Sequence, residues 1–378
     1  MRKSKIRIVH TCPLGTGGIT SLVLNLCEHI DRDKVNFDYL VYRDEKEYNE
    51  ERATALGGKK LVASNTDAKN SAMKFWLKFY RSYKIFKKEK PDAFHINAST
   101  PYDTLIGIAA KAAGVKKVII HSHNASSSGN SKIKKLIYEF TKLVMSLYTD
   151  EYFTCSTEAA EYMFPKSVLK KKNYAMIKNG IMPDKFIFDS KKRDELRNKY
   201  NLTDAFVIGN IGRMETQKNQ TFLLDVVKEL TKINPKAVLV LIGIGTLEAK
   251  LKEKAKTLGI ENNVIFWGAS KNVNELMMMM DMFVMTSFHE GLPVVGIEAQ
   301  TTGLPCVFAD TITKEVKISE NVEFISLKES AAGWANEILK LAEKENNRTK
   351  GVENAENSGF TIEAVAKDLE QRYIDICK

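Results

Sequence analysis

The sequence predicts an α/β protein made of two doubly wound, Rossmann-like domains. Three observations carry that expectation. Short apolar runs alternate with helix-period segments along all 378 residues, which argues for parallel sheets covered by helices on both faces. The runs fall into two series, parted by the polar segment Asp184 to Asp204. Glycine-rich or charged loops follow several of the runs, and open α/β sheets place ligands at that carboxyl end.

The strand candidates in the first series are Ile6–His10, Phe37–Tyr42, Ala93–Asn97, Lys117–His121 and Tyr152–Cys155. Those in the second are Phe206–Ile211, Ala237–Ile242, Val264–Trp267, Phe283–Met285, Pro305–Phe308 and Glu323–Ile325. Helical patterns lie between them, for example Thr20–Ile30 and Thr221–Asn234, the latter closed by Pro235, as expected just beyond a helix. The expected divisions are 1–183, 184–360 and a C-terminal helix, 361–378, whose candidate packing partner is the first domain. No short-period repeat is present, so solenoids and propellers drop out.

Bulk composition narrows the function classes. An apolar share of 44% and a charged share of 28% fit a soluble globular protein. The longest clean apolar run, Ala237 to Gly245, is far short of the roughly 18 residues that a membrane span requires. Arg7 interrupts the short apolar stretch near the start, so a signal peptide is not expected. Five scattered cysteines without a CxxC pair predict neither a disulfide framework nor a zinc site, and suit a reducing cytoplasm.

A net charge of +10 directs attention to polyanionic partners: nucleic acid, an anionic membrane face or a phosphorylated substrate. Met73 to Lys90 interleaves aromatic with basic residues at helical spacing. Its Trp76, Phe79, Tyr83 and Phe86 suit either the core or lipid headgroups. Further basic stretches run from Lys132 to Lys142 and from Lys166 to Lys172.

The loops carry the chemistry. Gly15-Thr16-Gly17-Gly18-Ile19-Thr20 opens the first helix, where glycine lets peptide N–H groups approach phosphate closely. Thr20 fills the third glycine position of a dinucleotide fingerprint, and the nearest acidic residue after the second strand is Asp44, so nicotinamide binding is disfavoured. His121-Ser122-His123-Asn124 follows a strand and precedes a serine-rich loop; histidine there donates to a sugar hydroxyl or carries a proton. Arg213 and Lys218 lie on a strand-to-helix loop, a guanidinium fork and a point charge suited to a diphosphate. Gly243-Ile244-Gly245 is a second glycine-rich turn. Asp31-Arg32-Asp33 ends a helix and implies no metal. Met277 to Met280 reads as helix packing.

Glu290 opens a Gly-Leu-Pro turn and Glu298 follows eight residues on, inside a helix-like segment closed by Gly303 and Pro305. Each carboxylate accepts two hydroxyl hydrogen bonds, while free N–H groups at the helix start meet an anion. A solvated acidic helix start fits the same pair equally well.

In order and spacing these loops resemble the retaining glycosyltransferases of family 4, with the two-domain GT-B fold, over nearly the whole chain. Gly17-Gly18-Ile19, His121 to Asn124, Lys178-Asn179-Gly180-Ile181 with Phe186, Gly212-Arg213 with Lys218, Gly243-Ile244-Gly245, and Glu290 through Glu298 to Gly303-Leu304-Pro305 carry the resemblance. The His-Ser-His-Asn and Gln217-Lys218-Asn219 forms look most like bacterial capsule and exopolysaccharide enzymes.

The resemblance implies an acceptor-binding first domain and a nucleotide-sugar-binding second domain facing each other across a cleft. It gives catalytic positions to His121, Arg213, Lys218 and Glu290. Arg213 and Lys218 would hold the donor diphosphate in place of a metal, so no cofactor and no Mg²⁺ are expected. Glu290 would hold donor sugar hydroxyls with the Gly291-Leu292 backbone, and Glu298 the nucleotide ribose. Gly17, Gly18, Gly212 and Gly243 complete the donor-binding set. His121 would contact the sugar near the reacting carbon, with His123, Asn124 and Asn179 as further candidates.

The implied substrates are a UDP- or GDP-sugar donor and a saccharide or polyprenyl-linked saccharide acceptor, handled in the cytoplasm or at the inner face of the membrane, without nucleic acid. Met182, Met285-Thr286-Ser287 and Asn219 depart from the family pattern, at the positions of an Asp, a Pro before that serine and a Gly. None of the three touches a charged group. Rival readings are a sugar-nucleotide epimerase or phosphorylase of the same fold and a non-catalytic basic module that binds membrane or nucleic acid.

Overall fold

The structure is a computed structural model that describes residues 5–64, 66, 68–124 and 132–378, with the side chains at 132 and 134 outside the description. The chain divides into two units. One runs to Gly180 and takes in Ile362–Lys378, and the other is Ile181–Thr361. The basic residues at the extreme N-terminus and the serine-rich loop after Asn124 lie outside the described residues.

The first unit is built on strands β1 (Ile6–Thr11), β2 (Val35–Val41), β3 (Lys60–Val62), β4 (Ala93–Ala98), β5 (Lys117–Ser122), β6 (Glu151–Thr154) and β7 (Ala175–Met176). They form one sheet in the order β3-β2-β1-β4-β5-β6-β7, and every described pairing is parallel. The reversal of strand order between β1 and β4 is where such a sheet opens a ligand crevice. Edge strands β3 and β7 are too short, at three and two residues, to leave a period-2 signal in the sequence.

Helices cover both faces of this sheet. Gly18–His29 buries Leu22, Val23, Leu24 and Leu26. Ser71–Glu89 starts where the Asn70 side chain accepts from Met73 N at 2.8 Å, and stops at left-handed Lys90 before Pro91. Its aromatics divide: Phe86 is buried, Phe79 and Tyr83 pack on the same core, and Trp76 alone of the four is exposed. Three of the four are thus core residues. The terminal helix Ile362–Ile376 packs on Gly18–His29, and Glu370 accepts Asp31 N at 2.8 Å.

The second unit carries β8 (Phe206–Ile211), β9 (Ala237–Ile242), β10 (Val264–Gly268), β11 (Met282–Met285), β12 (Cys306–Ala309) and β13 (Val322–Ile325). Their order is β10-β9-β8-β11-β12-β13, all parallel. Met277 to Met280 are buried, and arginines satisfy their carbonyls. Arg193 Nη1 donates to Met280 O at 2.7 Å, and Arg348 Nη1 to Met278 O at 3.1 Å. Asp281 accepts Val207 N at 2.7 Å and fixes the start of β11 against β8. Burial pushes the Arg348 guanidinium down to about 9, a desolvation offset by these carbonyl contacts.

Candidate active site

In the second unit the loops after β8, β9 and β11 converge. Gly243 has φ +138°, and a Cβ there would lie 2.1 Å from Gly212 O, so only glycine lets the two strand ends approach. Gly212 N donates to Ile242 O at 2.9 Å and Met214 N to Ile244 O at 3.0 Å, which ties the loops together. Arg213, next to Gly212, is exposed. Glu215 turns away and accepts Thr246 N and Oγ1, at 3.0 and 2.8 Å.

The chain then makes a 3-10 turn, Thr216–Lys218, and passes through left-handed Asn219 (φ 52°) into the helix Gln220–Ile233. An asparagine tolerates that conformation, so the absent glycine leaves the turn intact. Lys218 Nζ meets Glu290 Oε1 at 2.6 Å, with both side chains largely buried. The two loops are clasped further by Gln217 Nε2 to His289 O and Phe288 N to Gln217 O, each 2.9 Å. Thr286 Oγ1 donates to Asn219 O at 3.0 Å, and Gln220 Nε2 to Arg213 O at 3.1 Å. Gln217 and Thr286 stand out in the sequence only as parts of motifs, and Gln220 not at all. They act on backbone, where side-chain identity is not conspicuous.

After Glu290 come Gly291 and buried Leu292, then the helix Val294–Thr301, whose first turn lacks both a side-chain cap and an acidic residue. Gly296 N donates to Pro293 O at 2.9 Å, which leaves Val294 N and Val295 N as the donors this helix start could offer an anion. Glu298 lies further along this helix. Burial pushes its carboxyl up to about 7, and among the described residues no partner holds its charge.

The first unit presents its own candidate surface at the β1/β4 reversal. Gly17 caps the helix Gly18–His29 without a side-chain bond, and no acidic residue occupies the first turn. Gly17 and Gly18 line a cavity of about 560 Å³ with Tyr42, Lys78, Asn97 and Asp103. Lys78 Nζ sits 4.1 Å from the centre of the Tyr42 ring, and burial lowers its pKa while Asp103 opposes that shift.

Beside the cavity the ends of β1, β4 and β5 gather four histidines. His95 Nε2 is 3.2 Å from His121 Nδ1, and His10 stacks on His95 with centroids 4.6 Å apart. His121 is 2% exposed, and its Nε2 is buried without a hydrogen-bond partner among the described residues. His123 is half-buried and lies 3.0 Å from Asn97 Oδ1 through Nε2; Asn124 is exposed. Burial drives all four imidazoles toward the neutral form, His10 down to about 3 and His123 to about 4. His10 and His95 escaped sequence reasoning although each lies in a strand candidate, His10 at its end and His95 in its middle; strand register, His10 beside His95, brings them to His121. Asn179 lies near the end of the first unit, its Oδ1 buried and unpaired among the described residues.

Two all-parallel sheets, each with anion-ready turns at strand ends, give the two-domain architecture of the GT-B fold. The family profile "Glycosyltransferase Family 4" matches residues 16–185, and "Glycosyl transferases group 1" matches 192–358. The putative glycosyltransferase EpsF of Bacillus subtilis is 32% identical over 90% of this chain and 89% of its own length. The UDP-Gal:alpha-D-GlcNAc-diphosphoundecaprenol alpha-1,3-galactosyltransferase of Escherichia coli is 26% identical over 78% of each chain. Anabaena Alr3699/HepE, solved in complex with UDP and glucose, shares the fold with a TM-score of 0.78 at 16% identity, covering 98% of this chain and 100% of that one. The chain belongs to family 4 of the glycosyltransferases.

Proposed function

We propose that the protein transfers a sugar from a UDP-sugar to a lipid-linked saccharide, with retention at the anomeric carbon, during assembly of a surface glycan. The contact that carries this reading is the ion pair of Lys218 with Glu290, on the same loop as exposed Arg213. A diphosphate fits the two cations, which neutralise charge as the leaving group departs. Drawing Lys218 toward phosphate frees the Glu290 carboxylate to accept donor sugar hydroxyls, with Gly291 and Leu292 supplying backbone. Glu298 holds the ribose. Gly212 and Gly243 keep the strand ends close enough for the diphosphate to meet the N–H groups around Arg213.

On the first unit, the Gly17-Gly18 turn offers N–H donors to phosphate, and the neighbouring cavity takes the acceptor. His123 meets the sugar, because it is the less buried of the pair, and His121 stands behind it as a positioning residue. Asn124 and Asn179 are further polar contacts. The two cations take the role of a metal, so chelation leaves the rate unchanged. UDP-Gal and a diphosphoundecaprenol acceptor are the substrates named for the Escherichia coli relative, and they are the first to test here.

The test is to incubate the protein with UDP-sugars, with and without a polyprenyl-diphosphate saccharide, and follow UDP release. Release that depends on acceptor, and an α-linked product by NMR from an α-linked donor, supports the reading. Acceptor-independent interconversion of the donor would make the protein an epimerase, and a β-linked product would remove retention.

A further inference from the structure

Strand register gathers a run of polar rings on one face of the first sheet. His10 of β1 lies beside His95 of β4, and Asn97 of β4 beside His121 of β5. His95 and Asn97 are two residues apart on one strand and share a face. In a neutral imidazole one ring nitrogen donates and the other accepts, and burial holds all four histidines neutral.

A backbone carbonyl sets the direction of every bond in the run. Thr11 O can only accept, so the Asn97 side-chain nitrogen, 3.1 Å away, is the donor. The second amide hydrogen goes to His10 Nδ1 at 3.3 Å, which puts the His10 proton on Nε2. That proton meets Tyr373 Oη at 3.3 Å, so the hydroxyl gives its own to His95 Nδ1 at 2.7 Å. His95 is then protonated on Nε2 and donates to His121 Nδ1 at 3.2 Å. His121 ends the run with its proton on Nε2, the buried atom that has no partner among the described residues.

The other branch is one bond long. Asn97 Oδ1 can only accept, so His123 Nε2, 3.0 Å away, carries the proton. His123 Nδ1 keeps its lone pair, and no described hydrogen bond reaches it. A half-buried neutral ring with an open lone pair accepts from groups that carry a proton. A hydroxyl suits it, whereas an ether or phosphate oxygen does not.

We propose that Asn97 is a positioning residue that fixes His123 as a hydrogen-bond acceptor, through Nδ1, for a sugar hydroxyl, and that Tyr373 supports this setting from the C-terminal helix through His10. The choice of ligand rests on the transfer reading. The ring tautomers do not.

The test is NMR of the ring nitrogens in the full chain, labelled at histidine and held near neutral pH, with the His123 signals identified by their loss in His123→Gln. Wild-type His123 should show a protonated Nε2 and a bare Nδ1. Asn97→Ala should mix its two tautomers, and Tyr373→Phe should bring Nδ1-protonated forms into His95. UDP-glucose, UDP-galactose and UDP-N-acetylglucosamine are then titrated, with UDP as the reference. A sugar nucleotide that binds should shift the His123 Nδ1 signal while UDP alone does not. Asn97→Ala should weaken that binding about tenfold, the worth of one hydrogen bond, without weakening UDP.

A wild-type His123 protonated at Nδ1 or at both nitrogens, or an unchanged tautomer in Asn97→Ala, would overturn the role of Asn97. An unchanged His95 in Tyr373→Phe would remove Tyr373 from it. A bound sugar nucleotide that leaves Nδ1 unshifted would overturn the hydroxyl contact. Failure of UDP and all three UDP-sugars to bind would sink the transfer reading and the ligand with it, while the tautomers are still decided by the spectra of the free protein.

Discussion

Tyr373 Oη lies 2.7 Å from His95 Nδ1 and 3.3 Å from His10 Nε2. A hydroxyl from the last helix thus joins imidazoles from β1 and β4, and His95 passes the chain of contacts to His121. The C-terminal helix is part of the first unit's polar interior as well as its cover. Removing the hydroxyl leaves two buried ring nitrogens without that partner. Tyr373→Phe should cost about 1–3 kcal/mol of stability, read by urea denaturation of the full chain. An unchanged midpoint would mean that the hydroxyl contributes nothing.

The same cluster sets a pH dependence. His10 is pushed down to about 3 and His123 to about 4 by burial, from an ordinary value of 6.5. The unfolded histidines therefore take up protons below about pH 6.5 while the folded ones stay neutral. Stability should fall as pH drops through that window, by up to about 1.4 kcal/mol per pH unit for each histidine, and should not change from this cause above it. Denaturation midpoints between about pH 5 and 8 check the sign. A Phe at position 10 should flatten part of the slope.

Lys218 and Glu290 are predicted to act as a unit. Lys218→Ala and Glu290→Ala should each slow transfer by about 10²–10³, the usual cost of losing one electrostatic group at a developing charge. The double variant should be little slower than either, since the two side chains hold the diphosphate and the sugar of one donor and losing either already misplaces it. Arg213→Ala should raise donor KM as well as lower kcat, and Arg213→Lys should rescue it only in part, because a point charge lacks the fork. Initial rates over a range of donor concentration separate these outcomes; strictly additive losses in the double variant would show that the pair is independent.

Much of this site could be read before the structure because it sits where strands end. Glycines, cations and carboxylates after β1, β8, β9 and β11 stand out against apolar runs, and their order is a family's. Packing decided what spacing left open. The Met73–Lys90 pattern suited core or lipid equally, and the core took Phe79, Tyr83 and Phe86. His10 and His95 reach His121 only through strand register.

The glycines of the two candidate phosphate turns should respond differently to substitution. A Cβ at Gly243 would overlap Gly212 O at φ +138°, whereas one at Gly17 meets nothing nearer than Thr20 Oγ1 at 3.9 Å. Gly243→Ala should therefore unfold or shift the loop, with a stability loss of about 1–3 kcal/mol or more. Gly17→Ala should fold normally and lose activity only through crowding of the ligand. Thermal melts together with UDP-sugar titration distinguish the two, and a normal melt for Gly243→Ala would remove the close-approach argument.

Glu298 offers the most direct reading of ligand chemistry. Burial raises its carboxyl from 4.5 to about 7, so near-neutral solution holds a mixture of acid and carboxylate in the free protein. In the unfolded chain it ionises from 4.5 upward, so its contribution to stability declines as pH rises toward 7, opposite in sign to the histidines. Ribose hydroxyls are accepted best by the ionised form, which has four lone-pair sites and no proton to place. Donor affinity should accordingly rise with pH, approaching tenfold per unit below about 7, and level off above it. Glu298→Gln should bind donor more weakly at high pH and lose the slope. Calorimetric titration of a UDP-sugar between about pH 6 and 8 reads both effects; a slope that persists in the glutamine variant would assign the titration to another group and take the ribose away from Glu298.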